Sequence, residues 1–204
     1  MSGICYIIGA GEDFGLDFSP RENDFVIAAD GGYQKLVDTG IHADLVVGDF
    51  DSLGKIPHSE NVIVLPTVKD VTDTWTAIQL GMERGYRRFY LYGCTGGRFD
   101  HTLANIQTVA YVAEQGMECR LYDHKQIITA IYNDTAIFDS DHRGFISVFA
   151  HSDVCEGVTI RGMKYELEDS ELANCFPLGV SNEFLGRESS ITVKNGIAIL
   201  IYDR

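Results

Sequence analysis

Short apolar runs alternate with amphipathic stretches in the first half of the chain. The amphipathic stretches Val71–Arg84 and Asp100–Glu114 carry apolar residues at helical spacing, which predicts two helices. The apolar runs predict strands at Cys5–Ile8, Phe25–Ala29, Leu45–Gly48, Val62–Leu65 and Arg88–Tyr92. Strands that alternate with helices are typical of an α/β domain with a mainly parallel sheet.

Beyond Lys125 the pattern changes to short β-rich segments without a helical period. These segments are Ile127–Tyr132, Thr135–Phe138, Phe145–Phe149, Gly157–Ile160, Ser190–Val193 and Ile197–Tyr202. The pair Asn195-Gly196 separates the last two and is favoured in tight turns, so we predict a hairpin there. The C-terminal part is therefore predicted to be a small antiparallel β-sandwich.

The chain has 204 residues, more than a typical single domain of about 100–150 residues. We place the boundary where the pattern changes, with one domain over residues 1–125 and another over residues 126–204. The predicted fold class is α/β, with a Rossmann-like, mainly parallel N-terminal domain and a smaller C-terminal antiparallel β-sandwich.

Composition points to a globular protein outside membranes. Hydrophobic residues make up 45% and charged residues 23% of the chain, and its apolar runs are far shorter than the roughly 20 residues of a membrane helix. The segment Met1–Tyr6 lacks the basic start of a secretory signal. The five cysteines are scattered without a C-x-x-C pair, which favours reduced thiols. We therefore expect a cytoplasmic protein.

The net charge of −14 argues against nucleic acid or an anionic membrane as a partner. Binding a phosphate backbone over an extended surface requires a basic stripe. The charge is compatible with a cationic small-molecule substrate. The alternative explanation is solubility, since many cytosolic enzymes carry a net negative charge that keeps them soluble.

The densest group of candidate residues is the segment GDFDS at Gly48–Ser52, directly after a predicted strand. If the chain stays extended, Asp49 and Asp51 point the same way and Phe50 points to the core. Two carboxylates at a strand end suit Mg²⁺, which prefers oxygen ligands and phosphates. A turn rich in Asp, Ser and Gly is the equally good alternative.

A second acidic pair, Asp70 and Asp73, lies at the start of the helix predicted at Val71–Arg84. Taken alone, the pair favours a helix cap, with Asp70 as the capping residue and Asp73 as its capping-box partner. The pair also follows the Val62–Leu65 strand, on the sheet edge where Asp49 and Asp51 are expected and where α/β sheets bind ligands. Four acids at one edge would repel one another without a cation.

A glycine-rich loop, Thr95–His101, joins a predicted strand to a predicted helix. Glycines let backbone amides approach an anion, and Arg98 can grip phosphate oxygens. The loop matches neither the P-loop nor the dinucleotide-binding pattern. Asp30-Gly31 follows another strand and adds an acid and a flexible turn to the same edge.

Taken together, these segments resemble the ordered motif set of thiamine pyrophosphokinases. Each is weak alone, but their order is specific, and two C-terminal segments also resemble that family. The matching segments are AADGG at Ala28–Gly32, GDFDS at Gly48–Ser52, KDVTD at Lys69–Asp73, GGRFDH at Gly96–His101 with Asn105, GMKYEL at Gly162–Leu167 and GVSNE at Gly179–Glu183.

The resemblance implies an ATP-binding domain, a thiamine-binding β-sandwich, and a homodimer whose active sites are shared between subunits. It implies Mg²⁺ ligands at Asp49, Asp51 and Asp73, with Arg98 and Asp100 completing the catalytic set. The implied ATP-binding residues are Asp30, Gly31, Lys69, Asp70, Thr72, Thr95, Gly96, Gly97 and Arg98, and the implied thiamine-binding residues are Asp100, Ser181 and Asn182. The chain departs from the family at Trp75, where an acidic residue is common.

The activity implied is transfer of the diphosphate of ATP to the hydroxyl of thiamine, giving thiamine diphosphate and AMP. One alternative is a Mg²⁺-dependent pyrophosphokinase or phosphohydrolase that uses another small alcohol or nucleotide. Another is a non-catalytic sensor of thiamine or nucleotide, whose mark would be loss of the metal acids. Asp49, Asp51 and Asp73 are all present, which favours an enzyme.

Overall fold

The computed structural model describes residues 3–50, 59–68 and 70–204, and the chain divides into two compact units. The N-terminal unit comprises Met1–Thr108 and Leu121–His124, and the C-terminal unit comprises Val109–Arg120 and Lys125–Arg204.

The N-terminal unit contains a parallel sheet in the order β5-β1-β2-β3-β4, accompanied by helices. Its elements are β1 (Cys5–Ile8), β2 (Phe25–Ala29), α1 (Gly32–Thr39), β3 (Leu45–Gly48), β4 (Val62–Val64), α2 (Asp73–Glu83) and β5 (Arg88–Tyr92). The predicted parallel α/β architecture is confirmed, and α1 is an element that the apolar pattern did not indicate.

The inner strands of this sheet are buried, apart from the half-buried Phe25 at the start of β2. All four residues of β1 are buried, because both faces of the sheet are covered. Tyr6 and Ile8 pack with Leu36 of α1 in one core cluster, while Cys5 and Ile7 are buried on the opposite face. Burial on both faces explains why these strands appear in the sequence as continuous apolar runs.

The next two elements contribute residues to both units. They are α3 (Phe99–Glu114) and β6 (Glu118–Tyr122). Over the described parts of the chain, no helix is both long and apolar enough to cross a membrane.

The rest of the C-terminal unit is all β. Its strands are β7 (Gln126–Tyr132), β8 (Thr135–Phe138), β9 (Phe145–Ala150), β10 (Val154–Arg161), β11 (Leu167–Ala173), β12 (Gly179–Glu183), β13 (Ser189–Thr192) and β14 (Ile197–Asp203). They pair antiparallel in the orders β12-β9-β14-β7 and β11-β10-β13-β8. Ile146 and Leu200 of the first group share a buried cluster with Ile160 and Ile191 of the second. The predicted β-sandwich is confirmed.

The hairpin predicted around Asn195-Gly196 is wrong. β13 pairs with β8 and β10, whereas β14 pairs with β7 and β9. The turn therefore carries the chain from one sheet to the other, and Gly196 accommodates it with φ 112°. Asn-Gly predicts a tight turn but does not determine whether the flanking strands pair with each other.

Candidate active site

The loops that follow the five parallel strands meet around one cavity of about 1000 Å³ in the N-terminal unit. The carboxyl ends of β1, β2, β3, β4 and β5 share one sheet edge, and the strand order changes direction between β1 and β5, where open α/β sheets bind ligands. The sequence-predicted residues that line the cavity are Asp30, Asp49, Asp70, Thr72, Asp73, Thr95, Gly96, Gly97 and Arg98. A cavity of this size accommodates a small-molecule substrate.

The other predicted site residues are placed differently. Gly31 and Asp100 adjoin Asp30 and Arg98 but are not among the residues that line the cavity. Asp51 and Lys69 lie outside the described residues. The remaining two, Ser181 and Asn182, belong to the C-terminal unit.

The loops that carry Asp30 and Asp49 are in close backbone contact. The backbone N–H of Asp30 donates to the carbonyl of Val47 at 2.8 Å. A Cβ atom at Gly48 would lie 3.0 Å from the Cα of Asp30, so the glycine permits this approach. This contact holds Asp30 and Asp49, which are both half-buried, at the cavity.

Phe50 turns the chain immediately after Asp49. Its side chain is 3% exposed and packs in the core, which confirms the predicted inward direction. Its φ of 58° shows that the chain is not extended here, so the condition under which Asp49 and Asp51 are expected to point the same way is not met at Phe50. The shared direction of Asp49 and Asp51 remains a prediction.

The helix α2 begins with Thr72 rather than Asp70 as its capping residue. Thr72 is extended, with φ −76° and ψ 159°, and its hydroxyl accepts the N–H of Trp75 at 3.1 Å. The predicted cap at Asp70 is wrong because the helix begins two residues later than that prediction requires. Asp73 instead occupies the first turn, where a negative charge interacts favourably with the helix dipole.

The glycine-rich loop between β5 and α3 is anchored on several sides. The side chain of Asn105 donates to the carbonyl of Cys94 at 2.7 Å, and the hydroxyl of Thr95 donates to Asp123 at 2.6 Å. Gly97 donates its N–H to the Glu12 carboxylate at 3.2 Å. Because the Gly97 amide donates to the Glu12 carboxylate, the loop can bind an anionic oxygen.

Arg98 and Asp100 form a two-point ion pair at the start of α3. The guanidinium donates to the two carboxylate oxygens at 2.6 Å and 3.2 Å. This hydrogen bonding lowers the pKa of Asp100 below its usual range and raises the pKa of Arg98. Both side chains are largely exposed, so Arg98 can reorient toward a phosphate.

Cys94 lines the same cavity but has the properties of a structural thiol. Its side chain is buried, and burial raises the pKa of the thiol to about 11. A thiol protonated at neutral pH is a poor nucleophile. The chemistry of this cavity therefore depends on its carboxylates, its glycine loop and Arg98.

Carboxylate oxygens at the cavity have the ligand chemistry that Mg²⁺ requires. Asp30, Asp49, Asp70 and Asp73 all line it. Across residues 3–50, 59–68 and 70–204, no three His, Cys, Asp or Glu side chains meet in a group that could hold a metal ion. Asp51, the remaining predicted ligand, is outside those ranges.

In the C-terminal unit, the segments Gly162–Leu167 and Gly179–Glu183 lie against each other. The buried side chain of Asn182 accepts the N–H of Tyr165 at 2.9 Å and donates to its carbonyl at 2.7 Å. Lys164 pairs with Glu183 at 2.7 Å. Ser181 is exposed with φ 60°, and its N–H donates to Ser147 at 3.1 Å. The two segments thus form one surface feature.

Several residues that build the cavity were not singled out by sequence reasoning. Glu12, Lys35 and Asp123 make long-range hydrogen bonds to its loops. Each is a single polar residue without a motif around it, so the sequence alone contains no signal for these contacts.

Two family models match the chain. Residues 20–121 match "Thiamin pyrophosphokinase, catalytic domain", and residues 135–198 match "Thiamin pyrophosphokinase, vitamin B1 binding domain". The first range contains all the cavity residues named above except Glu12 and Asp123. The second contains the paired segments of the C-terminal unit.

Known proteins are similar over nearly the full chain. Thiamine pyrophosphokinase from Bacillus subtilis is 28% identical over 187 residues, which cover 88% of this chain and 87% of that protein. A crystal structure of the B. subtilis protein has a TM-score of 0.85 at 25% identity and covers 99% of both chains. A thiamin pyrophosphokinase structure from Geobacillus thermodenitrificans has a TM-score of 0.84 at 25% identity, covering 98% of this chain and 97% of that one.

Proposed function

The chain belongs to the thiamin pyrophosphokinase family, and from that premise we propose that it transfers the diphosphate of ATP to the hydroxyl of thiamine. The observation that carries this proposal is the cavity that joins Asp49 and Asp73 to the Gly96–Arg98 loop. Carboxylates that suit a metal ion, beside a loop that suits phosphates, are what transfer of a phosphate group requires.

ATP is proposed to bind in the cavity of the N-terminal unit. Its phosphates would contact Arg98 and the backbone amides of Gly96 and Gly97, while the residues around Asp30, Lys69 and Thr72 surround the nucleotide. The existing bond from Gly97 to Glu12 supports this assignment, because a phosphate oxygen can replace the carboxylate oxygen. Thr72 supports it by fixing the start of α2 at the cavity.

Asp49, Asp51 and Asp73 are proposed to hold Mg²⁺. The oxygen donors at the cavity fit this ion, which when bound neutralises charge on the phosphates. Without a cation, the carboxylates that line the cavity would repel both one another and the nucleotide.

In the proposed reaction, the hydroxyl oxygen of thiamine attacks the β-phosphorus of ATP. The bond from that phosphorus to the oxygen bridging to the α-phosphate breaks, and AMP leaves with the electron pair. Arg98 would stabilise the phosphate oxygens. Asp100 is the proposed acceptor of the hydroxyl proton. When Arg98 turns from Asp100 to a phosphate, the interaction that lowers the pKa of Asp100 weakens and the carboxylate becomes a better base.

Thiamine is proposed to bind to the β-sandwich near Ser181 and Asn182. The match of residues 135–198 to the vitamin B1 binding domain supports this. Asn182 holds the backbone of Tyr165 and of Glu183 in β12 in place through its side-chain hydrogen bonds. Ser181 and Tyr165 are exposed and available for contact with a ligand. The corresponding functional division is residues 1–125 for ATP binding and catalysis, and residues 126–204 for thiamine binding.

The active enzyme is proposed to be a homodimer with shared sites, which the family resemblance supports. Mixing Asp73→Asn protein with Ser181→Phe protein under subunit exchange tests it. Shared sites predict recovered activity, because one site in each heterodimer retains both intact halves. A stable monomer, or no recovery after verified exchange, would contradict the proposal.

We also propose a cytoplasmic location. All five cysteines lie in the described residues and none of them is joined in a disulfide there, which agrees with a reducing compartment.

Incubation with ATP, Mg²⁺ and thiamine tests the proposed function. We expect AMP and thiamine diphosphate in equal amounts. Phosphate or ADP as the product would favour a different phosphotransferase or hydrolase. Thiamine binding without turnover would favour a sensor.

A further inference from the structure

Lys35 of α1 directs its ammonium group into the loop that follows β1. Its Nζ atom donates to the carbonyl of Gly9 at 2.8 Å and to the carbonyl of Gly11 at 2.5 Å. The side chain is half-buried, and burial lowers its pKa. Burying an ammonium group is unfavourable unless hydrogen bonds compensate for lost water, and the two carbonyls provide them.

The same loop is joined on its other side to the glycine-rich loop. Gly11 donates its N–H to the carbonyl of Gly93 at 2.7 Å, and Glu12 donates its N–H to that of Thr95 at 2.9 Å. A Cβ at Gly11 would lie 2.4 Å from the Thr95 oxygen, so this approach requires glycine. The position of the Gly9–Glu12 loop is therefore coupled to that of the loop proposed to bind phosphates.

The ammonium group also packs directly against Gly93. A Cβ at Gly93 would lie within 2.4 Å of Nζ, so a side chain there would displace the lysine. Gly93 and Gly11 both line the cavity, whereas Lys35 is behind them. Asp13 is the acidic group that favours the charged lysine, and the neighbouring thiol of Cys94 is protonated.

We propose that Lys35 is a positioning residue for ATP. Its hydrogen bonds fix the carbonyls of Gly9 and Gly11, and through the Gly9–Glu12 loop it holds the Gly93–Thr95 backbone in the geometry that receives the phosphates. Its positive charge further favours an anionic ligand at this end of the cavity. The inference rests on the proposed binding of ATP in this cavity. Lys35 would affect that binding through the backbone of the two loops, without contacting ATP itself.

Lys35→Met tests the inference, because methionine fills a similar space without the charge or the donors. Loss of hydrogen bonds from a charged group predicts that the Kd and KM for ATP rise about tenfold, while kcat and the KM for thiamine change by less than about twofold. The matched control is Lys194→Met, which removes an exposed lysine paired with Asp169 in the C-terminal unit and should leave all these constants unchanged.

A purely structural role for Lys35 would lower the folded fraction and the apparent kcat without changing the KM for ATP, and that result would overturn the inference. If Lys35→Met does not fold, Lys35→Arg replaces it. Arginine keeps the charge but is too bulky for the space beside Gly93, so the Kd for ATP should rise about threefold. An unchanged Kd in the folded variant overturns the inference.

Calorimetric titration with ATP separates this inference from the proposed function. If the wild-type protein binds ATP but does not modify thiamine, the proposed function fails, and the ATP affinities of the variants still decide the role of Lys35. If the wild-type protein does not bind ATP, the inference fails as well.

Discussion

Asn182 binds both backbone polar groups of Tyr165: its amide nitrogen donates to the Tyr165 carbonyl at 2.7 Å, and its side-chain oxygen accepts the Tyr165 N–H at 2.9 Å. The same oxygen also accepts the N–H of Glu183 at 2.9 Å. Because Asn182 is only 5% exposed, these bonds are shielded from water. The residue therefore stabilises the turn that presents the exposed ring of Tyr165.

Asn182→Ala should destabilise the C-terminal unit and weaken thiamine binding. Loss of the Asn182 side chain leaves partly buried backbone groups without this partner, which costs about 1 kcal/mol in the free energy of unfolding. Denaturant unfolding measures this change, and steady-state kinetics should show a raised KM for thiamine with an unchanged KM for ATP. Asn174→Ala removes an exposed asparagine of the same unit and serves as the control. Equal stability of the two variants would contradict the account.

Asp73→Asn should abolish most activity while retaining the fold. The substitution keeps the size of the side chain and removes a charge. Less repulsion among the carboxylates offsets the lost interaction with the dipole of α2, so stability should be nearly unchanged. We expect kcat to fall about a hundredfold or more, with a higher Mg²⁺ requirement. Asp51→Asn should behave alike. Asp38→Asn, on the exposed side of α1, is the control. Wild-type turnover by Asp73→Asn over a full Mg²⁺ titration would exclude its metal role.

Arg98→Met should raise the pKa of Asp100 toward its usual value. In the wild-type protein the Arg98 hydrogen bonds keep the carboxylate charged to a lower pH, so their stabilising effect is present above the usual aspartate pKa and is lost as the pH falls through the lowered value. Titration of the Asp100 carboxyl carbon by NMR measures the shift. An identical titration curve in both proteins would show that the ion pair does not persist in solution.

Cysteine reactivity should differ sharply between sites. Cys175 is exposed, whereas the other four thiols are buried, and burial raises the pKa of Cys5 to about 12 and that of Cys94 to about 11. A short treatment of the native protein with iodoacetamide at pH 7 should therefore label Cys175 alone. Mass spectrometry of the digested protein identifies the labelled residue. Rapid labelling of Cys94 would contradict its burial at the cavity.

Strongly apolar elements could be predicted from the sequence, whereas short or polar ones could not. β1 and β3 have the predicted bounds because all their residues are buried. β11, with the sequence LEDSELA, buries only Leu172 and contains three acidic residues, so no apolar pattern indicates it. The short helix α1 has only two buried residues, Gly32 and Leu36, which is too few for a detectable stripe.

The acids and the glycine loop of the candidate site were also predictable, because each follows a strand on one sheet edge. The left-handed turn at Phe50 and the cap at Thr72 were not, since both depend on local backbone geometry. The supporting contacts of Lys35 and Glu12 join residues far apart in the sequence. Only the folded arrangement brings those residues together.

Isotope tracing of the phosphates tests the central claim most directly. The protein is incubated with Mg²⁺, thiamine and ATP that carries a radiolabel at the α, β or γ position in separate reactions. Transfer of an intact diphosphate predicts that the β and γ labels both appear in thiamine diphosphate in equal amounts and that the α label appears in AMP. Transfer of the γ label alone with release of ADP, or release of labelled phosphate at a rate independent of thiamine, would contradict it.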